Sequence, residues 1–293
     1  MPQSNRDNKS DFYLQGTDGS KEGFHEGTPV SFEWNIIYSC NFRCPHCIFE
    51  GKWDEYGKRT VFIGKEEWVK HWTRIYERYG RSALLVTGGE PFLYPDFIDI
   101  IGEISKLHYP IFISTNGSGD IERFVRHIDP KKVSLSLSFQ PGFNKLEDII
   151  SKNRLLRKSG FSTTFINLCA YPPYLKNMEA SVEKAKEMGE VLKVIPFYGT
   201  YNNTAYPDGY SEYEKKLLGI NSVWEKNVKR KGATCKAGHN SALIFPDGKV
   251  ARCGQIGERF PLGNIFKGDF KLLEAPMTCD AELCPCLEGE LAD

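Results

Sequence analysis

Two textures of hydrophobic and polar positions alternate along most of this chain. Short apolar runs bounded by turn residues alternate with longer stretches whose apolar residues recur every three or four positions. The first texture is that of buried strands, the second that of amphipathic helices. Phe32–Tyr38 reads as a strand. Lys65–Tyr79 carries Trp68, Val69, Trp72, Ile75 and Tyr76 near helical spacing. Ala83–Val86 is a buried strand ending at Thr87-Gly88-Gly89. Asp96–Leu107 is a helix with Phe97, Ile98, Ile100, Ile101 and Ile104 inward. The alternation continues with strand Ile111–Ser114, helix Ile121–Ile128, strand Val133–Phe139 and helix Lys145–Lys158. Strand Thr163–Ala170, helix Met178–Met188 and strand Val191–Phe197 complete it. Such alternation predicts parallel strands covered by helices. The strands are too few to close an eight-stranded barrel, so the expected α/β fold is a partial (β/α)6 TIM-like barrel. Sites in such barrels lie at the C-terminal ends of the strands.

Outside the barrel pattern, residues 1–28 are polar and read as an N-terminal arm, and 29–200 as the barrel. Residues 201–234 read as a connecting loop and helix, in which Ser211 is an N-cap and Glu214 its capping-box partner. The tyrosines around 198–210 are either a packed surface loop or a substrate-facing one. In 235–293, Ser241–Phe245, the Pro246-Asp247-Gly248 turn and Lys249–Cys253 form a hairpin signature, and His239 is read as a hairpin-entry residue before a metal ligand. Glu50, Lys52, Asp54 and Arg59 read as a solvated charged loop. Lys193, Arg252 and Glu258 are either solvated or in contact with a ligand.

With 293 residues, 40% of them apolar and 26% charged, the chain can bury a sizeable core. Net charge is zero, so nothing points to nucleic acid or an anionic membrane. No apolar run reaches bilayer-spanning length and no signal peptide is evident, so a cytoplasmic setting is expected. Nine cysteines there imply metal ligation in a reducing compartment.

Cys40, Cys44 and Cys47 form a compact triplet after the first strand. Three thiolates in one loop suit one face of an iron–sulfur cubane and leave one iron open, as catalysis requires; zinc is the competing occupant. Cys235, Cys253, Cys279, Cys284 and Cys286 form a second group, suited to one cluster or to a zinc ribbon. Cys169 belongs to neither group. It is a small buried hydrophobe or a thiol able to return a hydrogen atom to a substrate radical.

The triplet, with His46 at its usually aromatic position, resembles the radical S-adenosylmethionine (radical SAM) superfamily. Thr87-Gly88-Gly89-Glu90-Pro91, Ile113-Ser114-Thr115-Asn116-Gly117 and Ser134-Leu135-Ser136-Leu137-Ser138 resemble three further motifs of that family, in order. The resemblance implies a [4Fe–4S] cluster on Cys40, Cys44 and Cys47, and S-adenosylmethionine (SAM) chelating its open iron. His46, Gly88, Gly89, Glu90, Ser114, Asn116, Ser136 and Ser138 would line the SAM site. In that reading the glycines let SAM approach the backbone, Glu90 accepts from its amino group, Asn116 meets the ribose, and the serines approach the carboxylate. The C-terminal cysteines resemble the shorter, twitch form of the SPASM extension. They imply one auxiliary [4Fe–4S] cluster on Cys235, Cys253 and Cys279, with Cys284 or Cys286 fourth. The expected activity is hydrogen abstraction from a carbon of a polar, carbohydrate-like substrate, ending in oxidation or epimerisation. A ribosomal peptide substrate is the alternative, and a non-catalytic iron–sulfur or zinc protein the rival. The substrate partner is thus a small molecule or peptide, and the electron partner a one-electron reductant such as flavodoxin or ferredoxin.

Overall fold

A computed structural model describes residues 30–49, 51–161, 165–221, 229, 231–255, 257–282 and 284. The N-terminal arm, Glu50 and Cys286 lie outside the described residues.

Strands β1 (Ser31–Ile37), β2 (Ala83–Gly88), β3 (Ile111–Thr115), β4 (Val133–Ser138), β5 (Phe165–Ala170) and β6 (Leu192–Pro196) lie side by side in chain order, all parallel. Helices α2 (Lys65–Tyr79), α3 (Phe97–Ile104), α4 (Ile121–His127), α5 (Leu146–Lys158) and α6 (Pro172–Glu187) connect them; the short α1 (Trp53–Gly57) precedes α2. This is the partial barrel that the hydropathy pattern predicts. Helix α6 starts earlier than its pattern suggests, because Pro172 and Pro173 occupy its first turn, where no intrahelical donor is lost.

One face of the sheet is fully apolar. Phe32 and Trp34 of β1 pack on Trp72, and Trp34 on Trp68, at ring separations of 4.7–5.9 Å. Trp68, Trp72, Ile75 and Tyr79 recur at helical spacing, which gives α2 its buried stripe. The other face is polar. Ser114 of β3 sits opposite Ser136 of β4, Ser138 opposite Asn167 of β5, and Asn167 opposite Lys193 of β6. Of these, Ser114, Ser138, Asn167 and Lys193 are only half-buried. Strand alternation thus separates a helix-packed face from a polar interior.

Beyond β6, the tyrosine-rich stretch is a hairpin, β7 (Gly199–Tyr201) and β8 (Thr204–Tyr206). Asn202 and Asn203 both take positive φ, 47° and 61°, as a tight hairpin turn requires. Tyr210 is buried; its hydroxyl donates to Ala170 O at 2.7 Å and accepts from Phe197 N at 2.8 Å, fastening β5 to the end of β6. Tyr201 and Tyr206 pack on Tyr171 and Phe197. Much of this tyrosine cluster is therefore packing. Helix α7 (Glu212–Leu217) follows, with the Ser211–Glu214 capping box formed.

The C-terminal hairpin joins the main sheet. After β9 (Thr234–Cys235), strand β10 (Ser241–Ile244) pairs in parallel with β1, and β11 (Lys249–Ala251) and β12 (Pro261–Asn264) extend the sheet antiparallel. The short β13 (Met277–Thr278) pairs with β9. His239 Nδ1 lies 2.9 Å from Leu273 O, consistent with its reading as a hairpin-entry residue.

Arg59 departs from its sequence reading. Arg59 is enclosed by the rings of Tyr38, Tyr56 and Phe245 and pairs with Glu258 at 2.5 Å and Asp247 at 3.5 Å. It clamps the segment after the cysteine triplet onto the hairpin, and Val61 N donating to Pro246 O at 3.2 Å does the same through the backbone.

Candidate active site

The cysteine loop is built by a close backbone crossing. Beyond β1 the chain passes directly over the end of β2. Gly89 N donates to Ile37 O at 2.7 Å and Glu90 N to Ser39 O at 3.0 Å. A Cβ on Gly88 would lie 2.1 Å from Ile37 O, and one on Gly89 2.1 Å from Ser39 O. The expectation from sequence was that these glycines make room for SAM. The room they make is taken by the chain itself, and it sets where the cysteine loop begins.

Glu90 also departs from its expected role. It is fully buried, and its carboxylate accepts from Thr115 Oγ1 at 2.6 Å, Asn116 N at 2.7 Å and Phe92 N at 3.2 Å. Burial raises its pKa, and these three donors oppose the rise. Here Glu90 fastens the end of β3 to the end of β2; no oxygen is held out toward a ligand.

Asn116 is fixed in turn. Its Nδ2 donates to Asn41 Oδ1 at 2.9 Å and lies 3.8 Å from Cys40 Sγ, and its Oδ1 accepts from Ser118 N at 2.9 Å. The amide expected to meet a ribose is engaged with the cysteine loop. Asn144, which sequence reasoning missed, donates to Asn116 O at 3.1 Å and Ser138 O at 2.9 Å, tying β3 to β4. Asn167 was missed too; its Nδ2 donates to Ser136 Oγ at 2.6 Å. Its position on the polar face of an otherwise apolar strand was the available signal.

The triplet has the donor set a cluster needs. Phe42 N–H points at Cys40 Sγ (3.3 Å) and Phe49 N–H at Cys47 Sγ (3.4 Å). Such donors stabilise thiolate charge and tune cluster potential. Burial, then Cys40 and Cys47, push the Cys44 thiol up to about 12, and burial raises Cys40. Cluster assembly therefore releases protons. Among the described residues no three His, Cys, Asp or Glu side chains converge on one ion's position. A cubane spreads its thiolates over separate irons and does not require that convergence.

His46 lies against Tyr171 and Tyr174, at 5.5 Å from each, and burial lowers its pKa. It stands with the aromatic residues beyond β5. Cys169 is on the polar face of β5, opposite Ile195. Burial pushes its thiol up to about 12; Tyr171 N–H opposes the shift and the nearby Cys44 adds to it. The structure thus brings Cys169 near the triplet, which its sequence position did not reveal.

The Radical SAM superfamily model matches residues 34–185, just over half of the chain. This chain belongs to the Radical SAM superfamily. The chain spans 59% and 42% of the lengths of the first two curated relatives that it matches. It is 22% identical over 277 residues to the antilisterial bacteriocin subtilosin biosynthesis protein AlbA of Bacillus subtilis (strain 168), a match covering 83% of this chain and 59% of AlbA. It is 33% identical to GTP 3',8-cyclase of Haemophilus influenzae (strain PittGG) over 75% of this chain and 76% of the cyclase. Its fold matches native anSMEcpe with bound AdoMet and Cp18Cys peptide at a TM-score of 0.59 and 18% identity, covering 84% of this chain and 81% of that one.

The second cysteine group is separate. Cys235, Cys253 and Cys279 are buried together with Ala237 and Ala281, and Phe260 packs on them. Ala237 N–H points at Cys235 Sγ (3.4 Å). Cys284 is buried, and none of these four is in a disulfide. No described helix is long and apolar enough to cross a membrane.

Proposed function

We propose that this enzyme abstracts a hydrogen atom from a carbon of a peptide substrate lying in the polar barrel interior. A second [4Fe–4S] cluster is held by Cys235, Cys253 and Cys279, with Cys284 or Cys286 fourth. The observation that carries the peptide reading is the open sheet. It ends at β6, whose polar face continues the row from Ser138 through Asn167 to Lys193. A lateral opening suits an extended chain, whereas a closed barrel admits only what fits its mouth. The likeness to AlbA across most of this chain supports the same reading. The carbohydrate-like substrate expected from the sequence gains no support from these relatives. A nucleotide-like small molecule is the second reading, favoured by the 33% identity to the GTP cyclase.

When bound, the first cluster and SAM supply a 5′-deoxyadenosyl radical after one-electron reduction. The residues that orient this chemistry are Asn116 and the Glu90 fastening, which hold the cysteine loop, and Ser114, Ser136 and Ser138, whose hydroxyls face the interior. His46 closes the side near β5. Cys169 holds its proton on sulfur at neutral pH, as a hydrogen donor to a carbon radical must. Hydrogen-atom donation from Cys169 would complete an epimerisation and leave a thiyl radical for the one-electron donor and a proton to restore; a cluster held by the C-terminal cysteines would instead take up one electron, with loss of a proton, where the outcome is oxidation or cross-linking. The electron donor would be a flavodoxin- or ferredoxin-like protein.

The test is anaerobic turnover of the reconstituted chain in D2O, with a tryptic peptide pool or GTP as substrate. Peptide-stimulated 5′-deoxyadenosine with modified peptides is the expected result; stimulation by GTP alone would contradict it. Deuterium at the modified carbon, lost in Cys169→Ala, marks thiol quenching. A mass loss of two hydrogens marks oxidation.

A further inference from the structure

Arg252 is the most deeply buried cation of the C-terminal region, 1% exposed, and it immediately precedes Cys253. The barrel chemistry does not involve it. Its Nε donates to Ala237 O at 2.8 Å, one terminal nitrogen to Thr278 O at 2.8 Å and the other to Met277 O at 2.7 Å. Ala237 follows Cys235 by two residues, and Met277 and Thr278 precede Cys279. One side chain therefore grips the backbone beside all three buried cysteines. Gly238 leaves the passage for its stem: a Cβ there would lie 2.9 Å from Arg252 Cγ.

The charge is unusual as well as the geometry. Burying a guanidinium is costly unless an anion compensates it. Among the described residues Arg252 makes no ion pair; its partners are carbonyl oxygens and the ring of Phe260, 6.0 Å away. That ring also packs on the cysteines. A guanidinium has five N–H groups. Three are engaged here, leaving two with no acceptor among the described residues. Thiolates ligating a cluster would bring the missing negative charge to this pocket.

We propose that Arg252 is both clamp and counter-charge of the C-terminal cysteine site, holding its three cysteine segments in register and raising the reduction potential of the cluster bound there. This rests on the auxiliary-cluster reading above. Adding an electron to a cluster beside a fixed cation is easier than without it, so loss of that charge makes the potential more negative.

The test uses the full chain with Cys40, Cys44 and Cys47 replaced by Ala, so that only C-terminal iron remains. Arg252→Lys and Arg252→Gln both lose the three-carbonyl grip and differ in charge. Iron content, far-UV circular dichroism and an EPR-monitored redox titration are read for each. The Gln variant is expected to lose at least tenfold in its reduction equilibrium, about 59 mV for a one-electron couple, while Lys stays near the parent. A partial loss of iron from both variants with the circular dichroism unchanged supports the clamp, and the cluster that is retained is what the redox titration reads. Equal potentials in parent, Lys and Gln would overturn the proposal, as would loss of the whole fold together with the iron. A parent that binds no iron at all would overturn the auxiliary-cluster reading, and this inference with it.

Discussion

His108 shows at the scale of one residue how burial sets charge in this molecule. It is fully buried; Nδ1 accepts from Ser82 N at 3.2 Å and Nε2 lies 2.9 Å from Trp72 O, so the neutral ring protonated on Nε2 is the form that fits. Burial lowers its pKa to about 4, against the Trp72 carbonyl, which raises it. In the unfolded chain the ring takes up a proton near pH 6.5. The stability due to neutral His108 is therefore complete above pH 6.5 and is lost as pH falls toward 4, by about 3 kcal/mol. Urea denaturation across that window should show the slope, and His108→Gln should flatten it; an unchanged slope would contradict the assignment. At the site, burial raises the pKa of Glu90 while its three hydrogen-bond donors oppose the rise. The cysteine groups and the Gly88-Gly89 pair stood out in the sequence because each residue type has few uses, but that the glycines admit the crossing chain was not legible. The partners of Glu90 were not legible either, because Thr115 and Asn116 reach it only through strand pairing.

Among elements, the alternation of apolar runs was enough to find the six barrel strands β1 to β6, since each must bury a whole face. Local signals failed where they competed. The apolar pattern starts the helix at Met178, whereas Pro172 and Pro173 open α6, and Asn202-Asn203 marked a hairpin that the surrounding tyrosines obscured. The partner of β10 could not be read from sequence at all, because pairing with β1 is fixed by packing across most of the chain. The crossing of β1 over β2 gives the sharpest prediction at this scale. A Cβ on Gly89 would meet only backbone, Ser39 O at 2.1 Å and Tyr38 O at 2.6 Å. Backbone cannot yield as a side chain can. Gly89→Ala should cost about 2 kcal/mol or more and lose the iron of the triplet while keeping the C-terminal iron. Wild-type stability with full iron would contradict this account of the crossing.

Across the whole molecule, one sheet joins the two cysteine groups. The triplet extends from β1, the C-terminal hairpin pairs with that same strand, and Arg59 clamps the two together. We propose that the N-terminal cysteine loop is where SAM is cleaved, and this is the claim to test first. Iron and sulfide are counted after anaerobic reconstitution of the wild type and of the Cys40/Cys44/Cys47→Ala variant, with 5′-deoxyadenosine measured under dithionite. About eight irons falling to about four, with 5′-deoxyadenosine from the wild type alone, is the predicted result. Zinc in place of iron, with no SAM cleavage by the wild type, would contradict it.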